Sequence, residues 1–199
     1  MLNIAVFVSG GGTNLQNLID TELVSKQIKL VVASSNKAYA LERAKKHNIP
    51  TIIFMNDNND DVVDNVDNVA NEVDLLNTLE EKHIELIVLA GYLKILSPFF
   101  LKNFKGTVIN IHPSLLPAYG GMGMYGLKVH QAVLRDKKTI TGATVHIVTE
   151  EPDSGEILDK IEVQVENNDT PSSLQIRVME KGEKIVLPRV VRKILERSL

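Results

Sequence analysis

Cysteine is absent from this chain of 199 residues, which excludes disulfides, thiolate metal ligands and a cysteine nucleophile. Basic residues are not in excess, with 22 Lys and Arg against 25 Asp and Glu, so a nucleic-acid-binding surface is not expected. No apolar run approaches the roughly 20 residues of a membrane helix, and the N-terminus lacks the features of a signal peptide. These absences predict a cytoplasmic protein whose partners are small molecules, with neither nucleic acid nor membrane among them.

The apolar runs that are present alternate with helical patterns. Continuous apolar segments, typical of strands covered on both faces, lie at residues 3–8, 28–34, 50–54, 85–90 and 108–111. Between the first three runs, residues 15–24 and 38–47 have helical patterns, and this alternation predicts a parallel sheet with crossover helices. Residues 142–150 and 156–165 predict two further strands around a turn, and residues 171–197 predict a terminal helix.

Together these elements predict an α/β fold with a doubly wound, mostly parallel twisted sheet, helices on both faces and an antiparallel C-terminal strand. The antiparallel strand is expected at residues 156–165, where Ile161, Val163 and Val165 alternate with polar residues. The length suits one hydrophobic core, so a single domain over residues 1–199 is the expected arrangement.

Residues 56–81 contain no Lys or Arg and are rich in Asp and Glu. Apolar residues recur there at three- and four-residue spacing, which predicts a helix with an apolar face made of Val62, Val66, Val69, Val73 and Leu76. The acidic residues are expected to form its solvated face. A calcium site is not predicted, because EF-hand spacing is absent.

Asn110 and His112 end a buried apolar run, and Pro113 breaks it. Residues two apart on a strand point to the same face, so the amide and the imidazole are expected to project together at the carboxyl end of the strand. Open α/β sheets place their chemistry at that edge. The amide can donate a hydrogen bond to an oxyanion, and the imidazole can transfer a proton. The alternative is a polar strand end with a structural histidine.

The glycine-rich turn at residues 9–14 predicts an anion site, because successive backbone N–H groups without bulky side chains can surround a phosphate or carboxylate. Two stricter motifs are absent. A dinucleotide fingerprint starting at Gly10 needs glycine where Leu15 stands, and the Gly-Lys-Ser/Thr of a P-loop does not occur. A site for a single anion remains, with Thr13 and Asn14 as side-chain donors. The alternative is a turn needed only for tight packing of strand on helix.

Asp153 lies in the turn between the last two predicted strands. A carboxylate there can raise the pKa of an imidazole and hold a water molecule, although most turn aspartates are simply solvated. No nucleophile is evident, since Ser114 lacks the context of a nucleophile elbow. The other histidines do not form a zinc motif. A direct displacement without metal or covalent enzyme intermediate is therefore the favoured class.

Four segments, at residues 9–16, 90–98, 110–117 and 142–155, stand in the order found in one known family. They read Ser-Gly-Gly-Gly-Thr-Asn-Leu-Gln, Ala-Gly-Tyr-Leu-Lys-Ile-Leu-Ser-Pro, Asn-Ile-His-Pro-Ser-Leu-Leu-Pro, and Gly-Ala-Thr-Val-His continuing to Asp-Ser-Gly. Through them the chain resembles the phosphoribosylglycinamide formyltransferases of the formyltransferase superfamily over essentially its whole length.

The resemblance implies an enzyme of purine biosynthesis that transfers the formyl group of 10-formyltetrahydrofolate, its co-substrate, directly to the amine of 5-phosphoribosylglycinamide. It implies that Asn110 and His112 stabilise the tetrahedral oxyanion and that His112 transfers a proton. Asp153 is implied to hold His112 in its charged form and to assist the proton relay. No metal is implied.

The same resemblance implies two binding regions. A substrate-binding half, about residues 1–100, would hold the phosphate through Gly12, Thr13, Asn14, Leu15 and Gln16. A catalytic and folate-binding half, about residues 101–199, would include Glu183 for the glycinamide end of the substrate. The folate pocket implied by the resemblance is drawn from both halves and consists of Leu93, Lys94, Ile95, Leu96, Asn110, Thr149, Glu150, Glu151, Pro152 and Asp153.

Three alternatives differ in function. A formyltetrahydrofolate hydrolase would use the same three catalytic residues with water as acceptor, and it carries a further amino-terminal domain that is not expected here. Methionyl-tRNA formyltransferase shares the Asn-x-His segment but needs a basic C-terminal domain. A non-catalytic folate or phosphometabolite-binding protein would be expected to lack at least one of Asn110, His112 and Asp153. The sequence leaves open whether the protein is a monomer or a homodimer.

Overall fold

The structure, a computed structural model, describes residues 2–54, 67–69 and 71–197. The chain forms two compact units. The first unit runs from the N-terminus to Val108 and includes the residues from Leu195 onward, and the second unit runs from Ile109 to Ile194. Within the described residues, no helix is both long and apolar enough to cross a membrane.

The first unit is built on parallel strands. These strands are β1 (Asn3–Val8), β2 (Ile28–Ala33), β3 (Thr51–Phe54), β4 (Asp67–Val69) and β5 (Ile84–Leu89). They lie in the order β4-β3-β2-β1-β5, and each described pairing among them is parallel. Strand β1, which lies between β2 and β5, is almost wholly buried, which explains its unbroken apolar run.

Helices connect these strands. They are α1 (Thr13–Ile19), α2 (Glu22–Ser25), α3 (Ala40–Lys46), α4 (Glu72–Glu81) and α5 (Pro98–Asn103). Helix α4 begins at a cap in which the Asn71 side chain accepts from the N–H of Asp74, 3.0 Å away. Helix α5 has Ser97 as its cap and Pro98 in its first turn, where a missing N–H has no cost.

Two helix predictions in this unit need correction. The predicted helix over residues 15–24 is two helices, because Thr21 adopts an extended backbone and its hydroxyl donates to the Asn17 carbonyl instead. Among the described residues of the predicted helix over residues 56–81, Glu72–Glu81 form α4, and residues 67–69 form the edge strand β4 instead. Helix α4 buries Leu75 and Leu79, whereas Val73 is exposed, so the predicted apolar face is wrong there. Val62 and Val66 lie outside the described residues.

The second unit contains most of β6 (Thr107–His112) together with β7 (Ile140–Ile147) and β8 (Ile157–Gln164). Strand β7 pairs antiparallel with both of its neighbours. Its helices are α6 (Leu127–Arg135), α7 (Pro171–Val178) and most of α8 (Lys184–Arg197). The parallel pairing in the first unit and the antiparallel pairing here confirm the predicted α/β fold with a mostly parallel sheet.

The predicted terminal helix over residues 171–197 is interrupted. A π-helical turn, Met179–Glu183, separates α7 from α8. Pro188 lies inside α8, where it has no N–H to donate to the carbonyl four residues earlier, at Lys184. Gly182 lies in the turn, and a Cβ there would stand 3.2 Å from the Cβ of Ala143, so the turn packs closely on β7.

Candidate active site

Asn110 and His112 leave β6 on the same face, as their spacing predicts. In the antiparallel pairing with β7, Asn110 lies opposite His146 and His112 opposite Thr144. Side chains directly opposite each other share a face of the sheet. The amide nitrogen Nδ2 of Asn110 consequently lies 3.2 Å from the ring Nε2 of His146.

The tautomer of the His146 ring follows from its neighbours. Its Nδ1 lies 2.8 Å from the carbonyl oxygen of Ile147, which can only accept, so Nδ1 carries a proton. If Nε2 also carries a proton, it donates to the Asp153 carboxylate. In the neutral ring Nε2 is an acceptor, and it receives a hydrogen bond from the Asn110 amide. This arrangement assigns the orientation of the Asn110 side chain and leaves its second N–H available for another acceptor.

Asp153 lies between two histidines. Its Oδ2 is 3.4 Å from Nδ1 of His112, and its Oδ1 is 3.4 Å from Nε2 of His146. The backbone N–H of Gly121 also donates to Oδ2, over 2.9 Å. Burial alone would raise the pKa of the Asp153 carboxyl, but the hydrogen bond with His146, the charge of His112 and the Gly121 N–H together hold that pKa below its usual value.

His112 is buried and both of its ring nitrogens face acceptors. Nε2 donates to the carbonyl of Tyr119, 2.7 Å away, and Nδ1 faces Asp153. Burial lowers the pKa of His112, and this outweighs the opposing effects of the Asp153 charge and the Tyr119 carbonyl. Asp153 raises the pKa of His112 in the expected direction, but burial has the larger effect and the net shift is downward, because the sequence shows the carboxylate but not the depth of burial.

Two side-chain hydrogen bonds fold the chain after β6 back toward His112. The Ser114 hydroxyl donates to the Ala118 carbonyl over 2.6 Å, and the Thr144 hydroxyl donates to the Ser114 carbonyl over 2.6 Å. Ser114 is fully buried and engaged in this turn, which agrees with a structural role. Tyr119 and Asp153 have backbone φ of 58 and 57, a region that non-glycine residues adopt rarely and that concentrates at functional sites.

The turn that carries Asp153 is closed by its own side chains. The hydroxyl of Thr149 donates to the carbonyl of Glu151 over 3.0 Å, and the hydroxyl of Ser154 donates to the same carbonyl over 2.8 Å. A Cβ on Gly155 would meet the Ile147 carbonyl oxygen at 1.9 Å, so only glycine fits where the turn meets β8. The predicted residues 149–152 thus share one turn with Asp153.

The glycine-rich turn of the first unit surrounds the start of α1. Gly12 has φ 70, and a Cβ there would stand 2.7 Å from the Cβ of Ala40, so the position requires glycine. Thr13 and Leu15 lie in the first turn of α1, where Leu15 and Asn14 are buried. The side-chain amide of Gln16 donates to the carboxylate of Asp20 over 2.9 Å, one helical turn further along α1.

Residues 93–96 join this turn at the same sheet edge. The Leu93 N–H donates to the hydroxyl of Ser9 over 2.8 Å, which links the ends of the neighbouring strands β1 and β5. Leu93 and Ile95 have exposed side chains, 63% and 64%, whereas Leu96 is buried. Lys94 lies between the two exposed residues. These four predicted residues therefore lie beside the predicted phosphate turn within the first unit.

The second unit holds the remaining predicted residues. Asn110, His112 and Asp153 belong to one hydrogen-bonded and charged network, and Glu183 ends the π turn and is half-buried. The sequence prediction missed His146, which contacts two members of that network. The signal was available, because Thr144 and His146 are two apart on a predicted strand, as Asn110 and His112 are. Within the described ranges, no cluster of three or more His, Asp or Glu could hold a metal ion.

A protein-family model described as formyl transferase matches residues 2–191. The chain belongs to the formyl transferase family. Within it, the phosphoribosylglycinamide formyltransferase of Haemophilus influenzae is 37% identical over 202 residues, which cover 100% of this chain and 90% of that protein. The chloroplastic phosphoribosylglycinamide formyltransferase of Arabidopsis thaliana is 35% identical over 185 residues, which cover 92% of this chain. The chain spans 62% of that plant relative and 57% of the one from Vigna unguiculata.

Solved structures in the formyl transferase family have the same fold. The crystal structure of phosphoribosylglycinamide formyltransferase from Anaplasma phagocytophilum superposes with a TM-score of 0.85 at 28% identity, covering 98% of this chain and 88% of that one. The resemblance inferred from the four sequence segments is thereby confirmed, and so is the predicted fold class.

Proposed function

We propose that this chain transfers the formyl group of 10-formyltetrahydrofolate to the amine of 5-phosphoribosylglycinamide, a step of purine biosynthesis. The observation that carries the proposal is the single network of Asn110, His112 and Asp153 around His146, in a member of the formyl transferase family. The names of the Haemophilus influenzae relative and of the Arabidopsis thaliana relative support the same reaction. We expect small-molecule substrates and a cytoplasmic location, as a monomer or a homodimer.

The reaction needs a proton to leave the amine and another to reach the leaving nitrogen. The glycinamide nitrogen attacks the formyl carbon, the bond from that carbon to N10 of the folate breaks, and N10 takes up a proton. Asn110 donates its second N–H to the oxyanion of the tetrahedral intermediate. The lowered pKa of His112 favours its neutral ring, in which Nε2–H donates to Tyr119 and Nδ1, beside Asp153, is the nitrogen that can accept the amine proton and later deliver it to N10. Asp153 stabilises the imidazolium that forms.

The proposal gives residues of each unit a binding role. In the first, the N–H groups of the glycine-rich turn with Thr13 and Asn14 receive the phosphate. The exposed side chains of Leu93 and Ile95 offer apolar surface for the pterin ring. In the second, the turn of residues 149–153 contributes backbone groups to the folate, and Glu183 receives the glycinamide end. No step requires a metal.

A cofactor-consumption assay tests the proposal. The full chain is incubated with 10-formyltetrahydrofolate in the presence and absence of 5-phosphoribosylglycinamide, and loss of the formyl cofactor is followed by absorbance. Transfer predicts that turnover depends on the amine. Turnover at the same rate without it indicates a hydrolase, and absence of turnover in both conditions indicates a binding protein.

Two variants test the proposed roles. His112→Ala and Asp153→Asn are each expected to lose about 100-fold or more in kcat/KM while keeping their circular dichroism spectrum, because each removes a group used in proton transfer. His83→Asn is the control, since His83 is exposed, lies in the first unit and has φ 51, a backbone conformation that Asn tolerates. A near-normal rate in either active-site variant removes that residue from the mechanism.

A further inference from the structure

Helix α3 holds the carbonyl groups of the glycine-rich turn. The N–H of Ala40 donates to the Gly10 carbonyl over 3.1 Å. The Nε–H of Arg43 donates to the Gly11 carbonyl over 2.8 Å. Two successive carbonyls of the turn are therefore bound by one helix, through its backbone in one case and through an arginine side chain in the other.

Peptide geometry converts these two contacts into a direction for the N–H groups. In a planar trans peptide, the C=O of one residue and the N–H of the next point in opposite directions. Because the Gly10 and Gly11 carbonyls point to α3, the N–H groups of Gly11 and Gly12 point away from it. The Gly12 N–H is the first backbone donor of the predicted phosphate turn, and the Arg43 contact fixes its orientation.

Arg43 is itself held in place. Its Nη1 donates to Oε1 of Gln16 over 3.2 Å, so one guanidinium ties the turn before α1 to the first part of α1. The guanidinium also lies over the ring of Tyr39, 5.2 Å from the ring centre. A planar fork that meets two acceptors and one aromatic face is specific to arginine, and the ammonium of lysine cannot reproduce it.

We propose that Arg43 is a positioning residue for the phosphate of the substrate: it holds the Gly11 carbonyl so that the Gly12 N–H faces the phosphate. The proposal rests on the proposed function, because it takes the glycine-rich turn as the phosphate site. Arg43 acts through the turn, so its loss is expected to weaken binding of the phosphorylated substrate and to leave the chemical step intact.

Substitution of Arg43 in the full-length chain tests the proposal. Arg43→Met is expected to raise KM for 5-phosphoribosylglycinamide about tenfold, the effect of one lost hydrogen bond to a charged group, with kcat changed less than about twofold. KM for 10-formyltetrahydrofolate should stay constant. With the unphosphorylated glycinamide riboside as acceptor, Arg43→Met and the unmodified protein should have equal kcat/KM.

Two further variants separate position from charge. Arg43→Lys keeps the positive charge but loses the fork, and it is expected to raise KM nearly as much as Arg43→Met. Lys46→Met is the matched control, because it removes an exposed cation from the same helix. A Lys variant with the KM of the unmodified protein shows that only charge matters and overturns the proposal. So does an equal loss with the phosphorylated and unphosphorylated acceptors.

A binding measurement distinguishes failure of this inference from failure of the proposed function. Inorganic phosphate and 5-phosphoribosylglycinamide are titrated into ¹⁵N-labelled protein, and the amide resonance of Gly12 is followed. A large shift in the unmodified protein that is lost in Arg43→Met and retained in Lys46→Met supports the inference even if no turnover occurs. A Gly12 resonance that does not respond in the unmodified protein, or that responds equally in Arg43→Met, overturns it.

Discussion

His146 and Asp153 face each other across 3.4 Å, measured from Nε2 of the ring to Oδ1 of the carboxylate. The same ring nitrogen lies 3.2 Å from the Asn110 amide. One histidine on β7 therefore connects the amide on β6 with the carboxylate in the turn that follows β7. Because Nδ1 is fixed by the Ile147 carbonyl, the ring cannot turn without losing that bond. His146 thus sets the relative positions of Asn110 and Asp153.

Replacing His146 should affect the rate more than binding. His146→Leu keeps an apolar side chain but removes the acceptor for Asn110 and the partner of Asp153. We expect kcat to fall about tenfold or more, which is less than the roughly 10²–10³ lost with a direct oxyanion donor, while KM changes little. Thr141→Val on the same strand is the control, since Thr141 is buried and its hydroxyl has no hydrogen-bond partner among the described residues. Equal rates for the His146 variant and the control would show that His146 is only structural.

An NMR titration of His112 tests the direction of its pKa. In the substrate-free protein the midpoint should lie below the usual value of about 6.5, because burial disfavours the charged ring. Asp153→Asn should move the midpoint lower still, since it removes the charge that raises the pKa. The measured midpoints belong to the coupled pair of groups. A midpoint above 6.5 in the unmodified protein would show that burial does not dominate the pKa of His112, and a midpoint that Asp153→Asn raises would show that the Asp153 charge does not raise that pKa.

Gly12 and Gly10 should respond differently to alanine. Gly12→Ala forces a Cβ to within 2.7 Å of Ala40 at φ 70, so we expect a loss of stability of about 1–3 kcal/mol and a higher KM for the phosphorylated substrate. Gly10→Ala is the matched control, because nothing lies within 4 Å of its added Cβ. Urea unfolding and steady-state kinetics measure both effects. Similar stability and KM in the two variants would remove the steric argument for Gly12.

His130 should make stability depend on pH. This histidine of α6 is fully buried, and burial, with a smaller effect of the His112 charge, lowers its pKa to about 4. The unfolded chain takes up a proton near pH 6.5 while the folded chain stays neutral, so stability falls as pH drops from about 6.5 to 4, by roughly 1.4 kcal/mol per pH unit.

The variant His130→Leu removes this titration. Between pH 7 and pH 5 we expect it to lose about 2 kcal/mol less stability than the unmodified protein, as measured by urea unfolding at the two pH values. The carboxylates and the other histidines are common to both proteins and affect both similarly. Equal losses in the two proteins would mean that His130 is protonated in the folded state at pH 5.

The sequence predicted those features that depend on local patterns. The apolar run before Asn110 predicted β6, and the spacing of Asn110 and His112 predicted their common face. The turn before β8 placed Asp153 correctly. All three are consequences of strand periodicity and turn chemistry, which neighbouring residues determine.

Features that depend on tertiary contacts were not predictable in the same way. The carbonyl of Tyr119 lies beside His112 because hydrogen bonds of Ser114 and Thr144 fold the chain between them. Every residue has a backbone carbonyl, so the sequence cannot indicate which one will contact His112. The net direction of the His112 pKa depends on burial, which long-range packing determines. The residues of the π turn before α8 do not interrupt the helical pattern of the sequence, so that pattern predicted one continuous helix.

The fate of the formyl carbon distinguishes transfer to the amine from hydrolysis. The full chain is given 10-formyltetrahydrofolate labelled with ¹³C in the formyl group, together with 5-phosphoribosylglycinamide, and the products are resolved by ¹³C NMR. We expect the label to appear in the formylated amide in an amount equal to the cofactor consumed, and His112→Ala to slow its appearance about 100-fold or more. Label recovered as free formate while the amine remains unmodified would contradict transfer.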